Sequence, residues 1–174
     1  YVLHLTQTRA HSISYISERI REPSVAALLI GKAYRAAELG IRFVLDRASE
    51  LRGDGQYLPA SSLITILGNL TENAFDALRS APENAQKEVT VSIREGEHGM
   101  LISVDDSGAG MAAPQLDRIF ERGFSTKGEG RGTGLSLVKE TVDAFGGTIR
   151  VESEPGIGSS FIITLSDAES RAQT

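Results

Sequence analysis

The spacing of apolar residues predicts a chain that mixes helices and strands. In four stretches apolar residues recur at steps of three and four, the spacing of one face of a helix. Elsewhere, β-branched and other apolar residues form short alternating or continuous runs bounded by glycine and proline, as in strands and hairpins. The predicted helices cover 1–22, 24–39, 60–80 and 133–145, and the predicted strands cover 41–45, 89–93, 101–104, 147–151 and 160–165.

This order of elements predicts the fold class. Strands and helices do not alternate regularly, so a doubly wound parallel sheet is disfavoured. We expect an α+β fold: a two-layer α/β sandwich with a mostly antiparallel sheet, helices on one face, and a helical segment in front. The predicted boundaries are 1–22 for that segment, 23–167 for the folded domain and 168–174 for a tail. In the last helix we expect buried side chains at Leu135, Leu137, Val138 and Val142.

Composition excludes several classes of protein. Of the 174 residues, 40% are hydrophobic and 24% charged, which favours a packed core over disorder. The net charge of −5 disfavours nucleic acid or an anionic membrane as the main partner. The absence of cysteine excludes disulfides, a thiol nucleophile and cysteine-based zinc sites. No apolar run reaches the roughly 20 residues of a membrane span.

The helix predicted at 60–80 carries a candidate cation site on its polar face. Asn69 and Asn73 lie one turn apart, with Glu72 and Asp76 nearby. A neutral carboxamide oxygen suits Mg²⁺, a hard cation that keeps several waters and shares phosphate oxygens. For an isolated helix, the same residues could simply form a solvated face.

Two glycine-rich segments follow this helix. Asp106-Ser-Gly108-Ala-Gly110 comes at a strand end, where a carboxylate can accept a hydrogen bond from the exocyclic amine of adenine, and glycines allow close backbone approach. Otherwise it is a glycine-rich turn.

The second segment runs from Ser125 to Leu135 and enters an apolar helix, whose N-terminal amide groups suit phosphates. It fits neither a Walker loop nor a Rossmann fingerprint.

Together these residues resemble a known family. The segments Asn69-Leu-Thr-Glu-Asn73, Asp106-x-Gly108-x-Gly110, Ile119-Phe120-x-x-x-Phe124 and Gly130-x-Gly132-x-Gly134-Leu135 are similar to the N, G1, F and G2 boxes of sensor histidine kinases. That superfamily includes DNA gyrase, HSP90 and MutL, and the resemblance runs over about 63–165. The upstream stretch 21–40 is similar to the connector of the subgroup that senses citrate and C4-dicarboxylates.

The resemblance implies a role for each motif. Asn73 would hold Mg²⁺, Asn69 would lie near the phosphates as the catalytic residue, and Asp106 would bind adenine N6. Gly108 and Gly110 would pack on the base, and 111–131 would form a lid. The implied ATP-binding set is Asn69, Asn73, Asp76, Asp106, Gly108, Gly110, Met111, Phe120, Thr126, Lys127, Gly130, Arg131, Gly132, Thr133, Gly134 and Leu135.

Two departures from the family pattern affect the expected chemistry. Asp76 stands where the family often has Lys, Arg or His, which puts one phosphate contact in doubt. Asn69 stands where the ATP-hydrolysing relatives have Glu, and a carboxamide cannot act as a general base toward water. Glu72 is an alternative acid, but it lies 100° around the helix from Asn73 and is disfavoured.

None of the three histidines suits a phosphoacceptor. The family's acceptor precedes an acidic residue or Asn, whereas His4, His11 and His98 precede Leu5, Ser12 and Gly99. We therefore expect no phosphoacceptor in this chain. Since the chain starts at Tyr1 inside a predicted helix, we expect a fragment in which 1–22 is the remnant of a dimerisation and phosphotransfer helix.

The resemblance implies a protein-histidine kinase domain that uses ATP and Mg²⁺. Its partners would be its own histidine-bearing dimerisation helix and a response regulator, with no nucleic acid. It would be the cytoplasmic part of a bacterial inner-membrane sensor that forms a homodimer, while the fragment would be a monomer or weak dimer. Two alternatives remain: an ATP-hydrolysing clamp of the same superfamily, and a non-catalytic nucleotide-binding regulatory module.

Overall fold

The computed structural model describes residues 13–79, 81, 85–124 and 133–166. Residues 13–19 are helical and precede the named elements. These elements are α1 (Pro23–Glu38), β1 (Arg42–Leu45), α2 (Ala60–Arg79), β2 (Glu88–Glu95), β3 (Gly99–Asp106), α3 (Ala113–Leu116), α4 (Gly134–Ala144), β4 (Thr148–Glu154) and β5 (Gly158–Ser166).

The strands form one five-stranded sheet in the order β1-β2-β3-β5-β4. Only β1 and β2 pair in parallel, and the other three pairings are antiparallel. Two hairpins, β2–β3 and β4–β5, account for most of this order. Because β3 pairs with β5, Asp106 at the end of β3 lies opposite Ser159 near the start of β5. The mixed α/β architecture and the mostly antiparallel sheet are confirmed.

The core lies between the helices and one face of the sheet. Alternate strand residues such as Val89, Val91 and Ile102 are fully buried, which is the period-two pattern of a sheet with one covered face. The helix α2 contacts β2 and β3, α4 contacts α2 and β4, and α1 contacts α2 and β1. Apolar residues of α2 at helical spacing fill the space against the sheet, so its polar face is left for other contacts.

The helical segment 13–19 joins the same core. Ile16 and Ile20 are buried in it, and Ile20 forms a parallel bridge with Leu51. Backbone hydrogen bonds extend this contact, from Arg21 N to Leu51 O at 2.9 Å and from Leu51 N to Arg19 O at 3.0 Å. The chain ahead of α1 is therefore held against the loop that leads into α2.

The burial predicted for α4 is wrong at one position. Val138 and Val142 are fully buried and Leu135 is partly buried, but the Leu137 residue is 46% exposed. Positions 135, 138 and 142 lie on one face at helical spacing, whereas 137 lies off it. Ser136 is buried at 5% exposure, where its hydroxyl donates to Thr133 O at 3.0 Å.

Candidate nucleotide site

The polar face of α2 presents three oxygen-bearing side chains in successive turns: Asn69, Asn73 and Asp76, all partly buried. The Asn69 side chain has a fixed orientation, because its Nδ2 donates to Thr65 O at 2.7 Å. Its Oδ1 is then the atom available to other groups. No side-chain hydrogen bond of Asn73 is found within 13–79, 81, 85–124 and 133–166.

Asn69 lies directly against the beginning of α4. A Cβ atom built on Gly134 would lie 2.8 Å from Asn69 Oδ1 and 3.6 Å from its Cγ. A side chain at 134 would therefore displace the Asn69 carboxamide from its present position. Thr133 is the N-cap of α4 and gives no side-chain hydrogen bond to the helix, so the first-turn amide groups lack a side-chain cap. Such groups, with the positive end of the helix dipole, favour an anion.

Asp106 lies at the other end of this region, where β3 ends beside α2. It is only 9% exposed, and its Oδ1 accepts a hydrogen bond from Gly108 N at 2.8 Å. A Cβ on Gly108 would lie 2.9 Å from the Ala77 Cβ of α2. The turn after β3 thus rests on α2, one turn beyond Asn73, and holds a buried carboxylate at the end of the strand.

The structure explains why glycine stands at position 110, which the sequence did not indicate. Its φ is +65°, a conformation that disfavours other residues, and a Cβ there would overlap the carbonyl oxygen of Glu154. Gly158 faces Asp106 in the same way, since its Cβ would overlap Asp106 O. Both glycines therefore allow the turn after β3 and the β4–β5 hairpin to lie backbone against backbone.

The remaining charges of α2 are paired. Glu72 Oε1 accepts from Lys32 Nζ of α1 at 2.6 Å, and Arg35 Nε lies 3.8 Å away. The side chain of Lys32 is only 14% exposed, whereas that of Glu72 is 44% exposed, so the ion pair is shielded from solvent on the Lys32 side only. Glu72 is thus directed toward α1, which agrees with its rejection as the acid of the site. Asp76 Oδ1 lies 3.2 Å from Arg79 Nη1.

The segment 111–124 packs between the core and α4. Met111, Phe120 and Phe124 are partly buried against the core, and the guanidinium of Arg118 lies 4.7 Å from the centre of the Phe124 ring. A two-bond ion pair joins this segment to α4: Arg122 Nε to Glu140 Oε1 at 2.9 Å and Arg122 Nη2 to Oε2 at 3.1 Å.

This exposed ion pair changes the titration of both partners. The hydrogen bonds from Arg122 lower the pKa of Glu140, and those to Glu140 raise the pKa of Arg122. The ion pair thus favours the charged form of both side chains.

Several predicted residues lie outside the described chain. These are the 125–132 members of the glycine-rich segment, together with two of the three histidines. His98 is described and lies exposed in the turn between β2 and β3. The residues concerned are Thr126, Lys127, Gly130, Arg131, Gly132, His4 and His11.

The side-chain oxygens on the polar face of α2 are suitable ligands for a magnesium ion that also binds phosphate oxygens. Carboxamide oxygens from Asn73 and Asn69 and a carboxylate from Asp76 are hard oxygen donors, and the uncapped start of α4 faces Asn69. Mg²⁺ in nucleotide sites commonly takes one or two such protein ligands and completes its shell with phosphate and water.

Sequence reasoning missed Thr65, which orients Asn69, and Ser153, which contacts the turn after β3. Thr65 could have been found from its spacing of four before Asn69, a common distance for a bond from a helical side chain to a backbone carbonyl. Nothing local in the sequence marks Ser153, because its partner Met111 is 42 positions away.

Comparison with known proteins gives consistent similarities. The family model described as histidine kinase-, DNA gyrase B- and HSP90-like ATPase matches residues 59–169. The sensor histidine kinase DcuS of Escherichia coli K12 is 41% identical over 166 residues, 95% of this chain and 30% of DcuS. The sensor protein CitS of Halalkalibacterium halodurans is 40% identical over 161 residues, 91% of this chain and 30% of CitS.

A solved structure is also similar. Full-length ShkA, in complex with AMPPNP, matches with a TM-score of 0.66 and 28% identity over 82% of this chain and 29% of that chain. The chain spans about 30% of the length of the curated relatives it matches. Among the described residues, no helix combines the length and the apolar character that crossing a bilayer requires.

Proposed function

Because the chain belongs to the family of histidine kinase-, DNA gyrase B- and HSP90-like ATPases, we propose that it binds Mg-ATP and donates the γ-phosphoryl group to a histidine on a dimerisation helix, in two-component signal transduction. The observation that carries this proposal is the close approach of Asn69 Oδ1 to the start of α4, where a Cβ built on Gly134 would lie 2.8 Å from it. It places a side-chain oxygen of α2 that can bind a cation beside backbone amide groups that can bind phosphate.

Different residues bind the base, the phosphates and the cation. Asp106 accepts a hydrogen bond from the adenine amine, and the first turn of α4, from Thr133 to Leu135, receives the phosphates. Asn73 holds Mg²⁺, with Asp76 near it. The cation, when bound, neutralises charge on the phosphate oxygens during transfer.

Within 125–132, Thr126, Lys127, Gly130, Arg131 and Gly132 stay predictions as further phosphate contacts.

Asn69 favours phosphoryl donation over hydrolysis. The Asn69 side chain ends in a carboxamide, which cannot accept a proton from water as a carboxylate would. Glu72, the nearest acid on α2, is paired with Lys32 at 2.6 Å. Transfer then breaks the bond between the γ-phosphorus and the bridging oxygen, forms one to the histidine nitrogen, and leaves ADP. The acceptor's proton goes to a base that the acceptor helix supplies.

The names of the relatives, sensor histidine kinase and sensor protein, support a proposal about the partners as well. The full-length protein is a homodimer whose dimerisation helix carries the histidine, the helical residues 13–19 belong to the end of that helix, and a response regulator receives the phosphoryl group. The catalytic domain, 23–167, works on the cytoplasmic side of a bacterial inner membrane. As isolated, the chain is a monomer or weak dimer.

Calorimetry with ATP, ADP and GTP in the presence of Mg²⁺ tests the nucleotide assignment. ATP and ADP should bind, and GTP should bind at least about tenfold more weakly, because its carbonyl would face the Asp106 carboxylate. Equal binding of GTP would exclude the adenine role of Asp106. Asn73→Ala should remove the part of the ATP affinity that depends on Mg²⁺, while affinity in EDTA stays the same.

Incubation with γ-labelled ATP tests the reaction class. The chain alone should acquire no acid-labile label, whereas a separately prepared dimerisation segment of a relative should be labelled when mixed with it. Acid-labile label on the chain itself would contradict the proposal. Steady phosphate release that Asn73→Ala abolishes would instead favour the ATP-hydrolysing clamp.

A further inference from the structure

The β4–β5 hairpin holds the turn after β3 through one hydroxyl group. Ser153 Oγ accepts a hydrogen bond from Met111 N at 2.8 Å and donates to Gly158 O at 2.9 Å. It also lies 2.9 Å from Ser159 Oγ, which completes its bonding as the donor. With one hydrogen donated and two accepted, the Ser153 hydroxyl has no further capacity.

Backbone contacts reinforce the same junction. We call residues 106–111 the adenine turn. Gly156 N of the hairpin donates to Ala109 O of the adenine turn at 2.7 Å. On the opposite side Gly108 rests on Ala77 of α2. The adenine turn is therefore held between α2 and the β4–β5 hairpin.

Ser153 is the side chain that fixes the end of this turn. The bond to Ala109 is made by the backbone and needs no particular side chain, whereas the bond to Met111 requires the Ser153 hydroxyl. Ser159, the other hydroxyl of the junction, bonds to Ser153. Loss of Ser153 would release the N–H of Met111 and leave Ser159 and Gly158 without their shared partner.

We infer that Ser153 is a positioning residue for adenine recognition. It fixes the position of the adenine turn between α2 and the β4–β5 hairpin, and with it the distance between the adenine base and Asp106. This inference rests on the proposed function. Ser153 acts through the turn and touches neither the phosphates nor the cation. Its effect is therefore confined to the base end of the nucleotide.

The experiment compares Ser153→Ala with Ser159→Ala. Calorimetry in Mg²⁺ would measure the affinities of ATP, GTP and inorganic tripolyphosphate for both variants and the unsubstituted chain. Ser153→Ala should weaken ATP binding about five- to tenfold, the loss expected for one hydrogen bond whose part-buried donor is left unpaired, and should reduce the preference for ATP over GTP. Affinity for tripolyphosphate should not change.

Ser159→Ala removes a hydroxyl of the same junction but leaves the bond from Met111 to Ser153 in place. It should lower the Tm by a similar amount to Ser153→Ala and keep the ATP affinity and the preference over GTP. This contrast separates positioning of the base from a general loss of stability.

Unchanged ATP affinity in Ser153→Ala would overturn the inference. So would an equal weakening of ATP and tripolyphosphate, or the same loss of ATP affinity in Ser159→Ala, because either result assigns the effect to stability alone. The unsubstituted chain is measured first. If it binds no ATP, the proposed function fails, and that failure is distinct from a result in which the unsubstituted chain binds and Ser153→Ala binds equally well.

Discussion

The two ends of the candidate nucleotide site are built in different ways. At the adenine end, the turn 106–111 is fixed by backbone against backbone, with Gly110 and Gly158 giving the clearance and Ser153 the side-chain bond. At the phosphate end, the described contact is between a side chain of α2, Asn69, and one glycine at the start of α4. The structure of the adenine end depends on glycine conformation, and that of the phosphate end depends on the rotamer of the Asn69 carboxamide.

This difference separates stability from binding. A side chain added at Gly110 or Gly158 must displace backbone that belongs to the central sheet, so it changes folding and binding together. Substitution at the phosphate end displaces a side chain near the surface of the helical layer. It should change the affinity for the phosphates with a smaller effect on folding.

Gly110→Ala should have the largest effect and would show how rigid the adenine end is. The new Cβ would overlap Glu154 O and would also require a left-handed conformation, with φ at +65°. We expect the free energy of unfolding to fall by at least about 3 kcal/mol, as both overpacking and strain contribute. Denaturant unfolding followed by circular dichroism measures it.

Gly156→Ala is the matched control for that variant. Gly156 also has a positive φ, +81°, but a Cβ there meets no atom within 4 Å. It should lose about 1 kcal/mol from strain alone. Equal losses in the two variants would contradict a close-packed junction at Gly110.

Gly134→Ala tests the phosphate end and should have an intermediate effect. The new Cβ would lie 2.8 Å from Asn69 Oδ1, and the bond from Asn69 Nδ2 to Thr65 O would resist its displacement. We expect Mg-ATP affinity to fall about tenfold, or about 1.4 kcal/mol, measured by calorimetry, with a smaller change in unfolding.

Gly68→Ala controls for the change from glycine to alanine in a helix. It lies in α2 next to Asn69 and has open space around its Cβ position. It should stabilise α2 by about 0.5–1 kcal/mol and leave Mg-ATP affinity unchanged. If Gly134→Ala destabilised the chain as much as Gly110→Ala, the contrast between the two ends would be lost.

Glu22→Gln should have the smallest effect and lies at neither end. Glu22 caps α1: hydrogen bonds from the Ser24 hydroxyl and from Val25 N, each 2.7 Å, lower its pKa below 4.5. A depressed pKa stabilises the fold above about pH 4.5, and that contribution is lost as the pH falls through the folded-state pKa.

Since Glu22 is only partly buried and solvent screens its charge, the expected difference at pH 7 is at most about 1 kcal/mol. The Tm of the two proteins, measured from pH 7 to pH 3, should converge at low pH, with ATP affinity at pH 7 unchanged. A constant difference across this range would exclude the carboxylate charge as its cause.

The sequence predicted those parts of the fold that local patterns determine. The helix predicted at 60–80 is α2, Ala60–Arg79, because a long amphipathic period leaves little freedom in its phase. The strand predicted at 101–104 extends to Gly99–Asp106, since its polar ends pair with β2 and β5, which only the folded sheet reveals.

The sequence could not predict contacts between distant segments. Asp106 and Asn69 were recognised by residue type and motif, but the reason for Gly110 lies in Glu154, across the sheet. The bond from Met111 to Ser153 has the same origin. Leu137 was wrongly predicted to be buried, because its apolar character alone does not show which side of a short helix faces the core. In the structure Ser136 is buried instead, and its hydroxyl donates to Thr133 O.

Among the strands of the described part of the chain, β4 forms one edge of the sheet, so its outer backbone groups have no neighbouring strand there. Such an edge offers a template on which another chain can add a strand and aggregate. Here the uncovered face of β4 carries Arg150, Glu152 and Glu154, with Arg150 Nη2 and Glu152 Oε1 3.0 Å apart. A strand arriving from a second molecule would have to desolvate these charges, so the edge that supports the adenine turn also resists the addition of a strand from another chain.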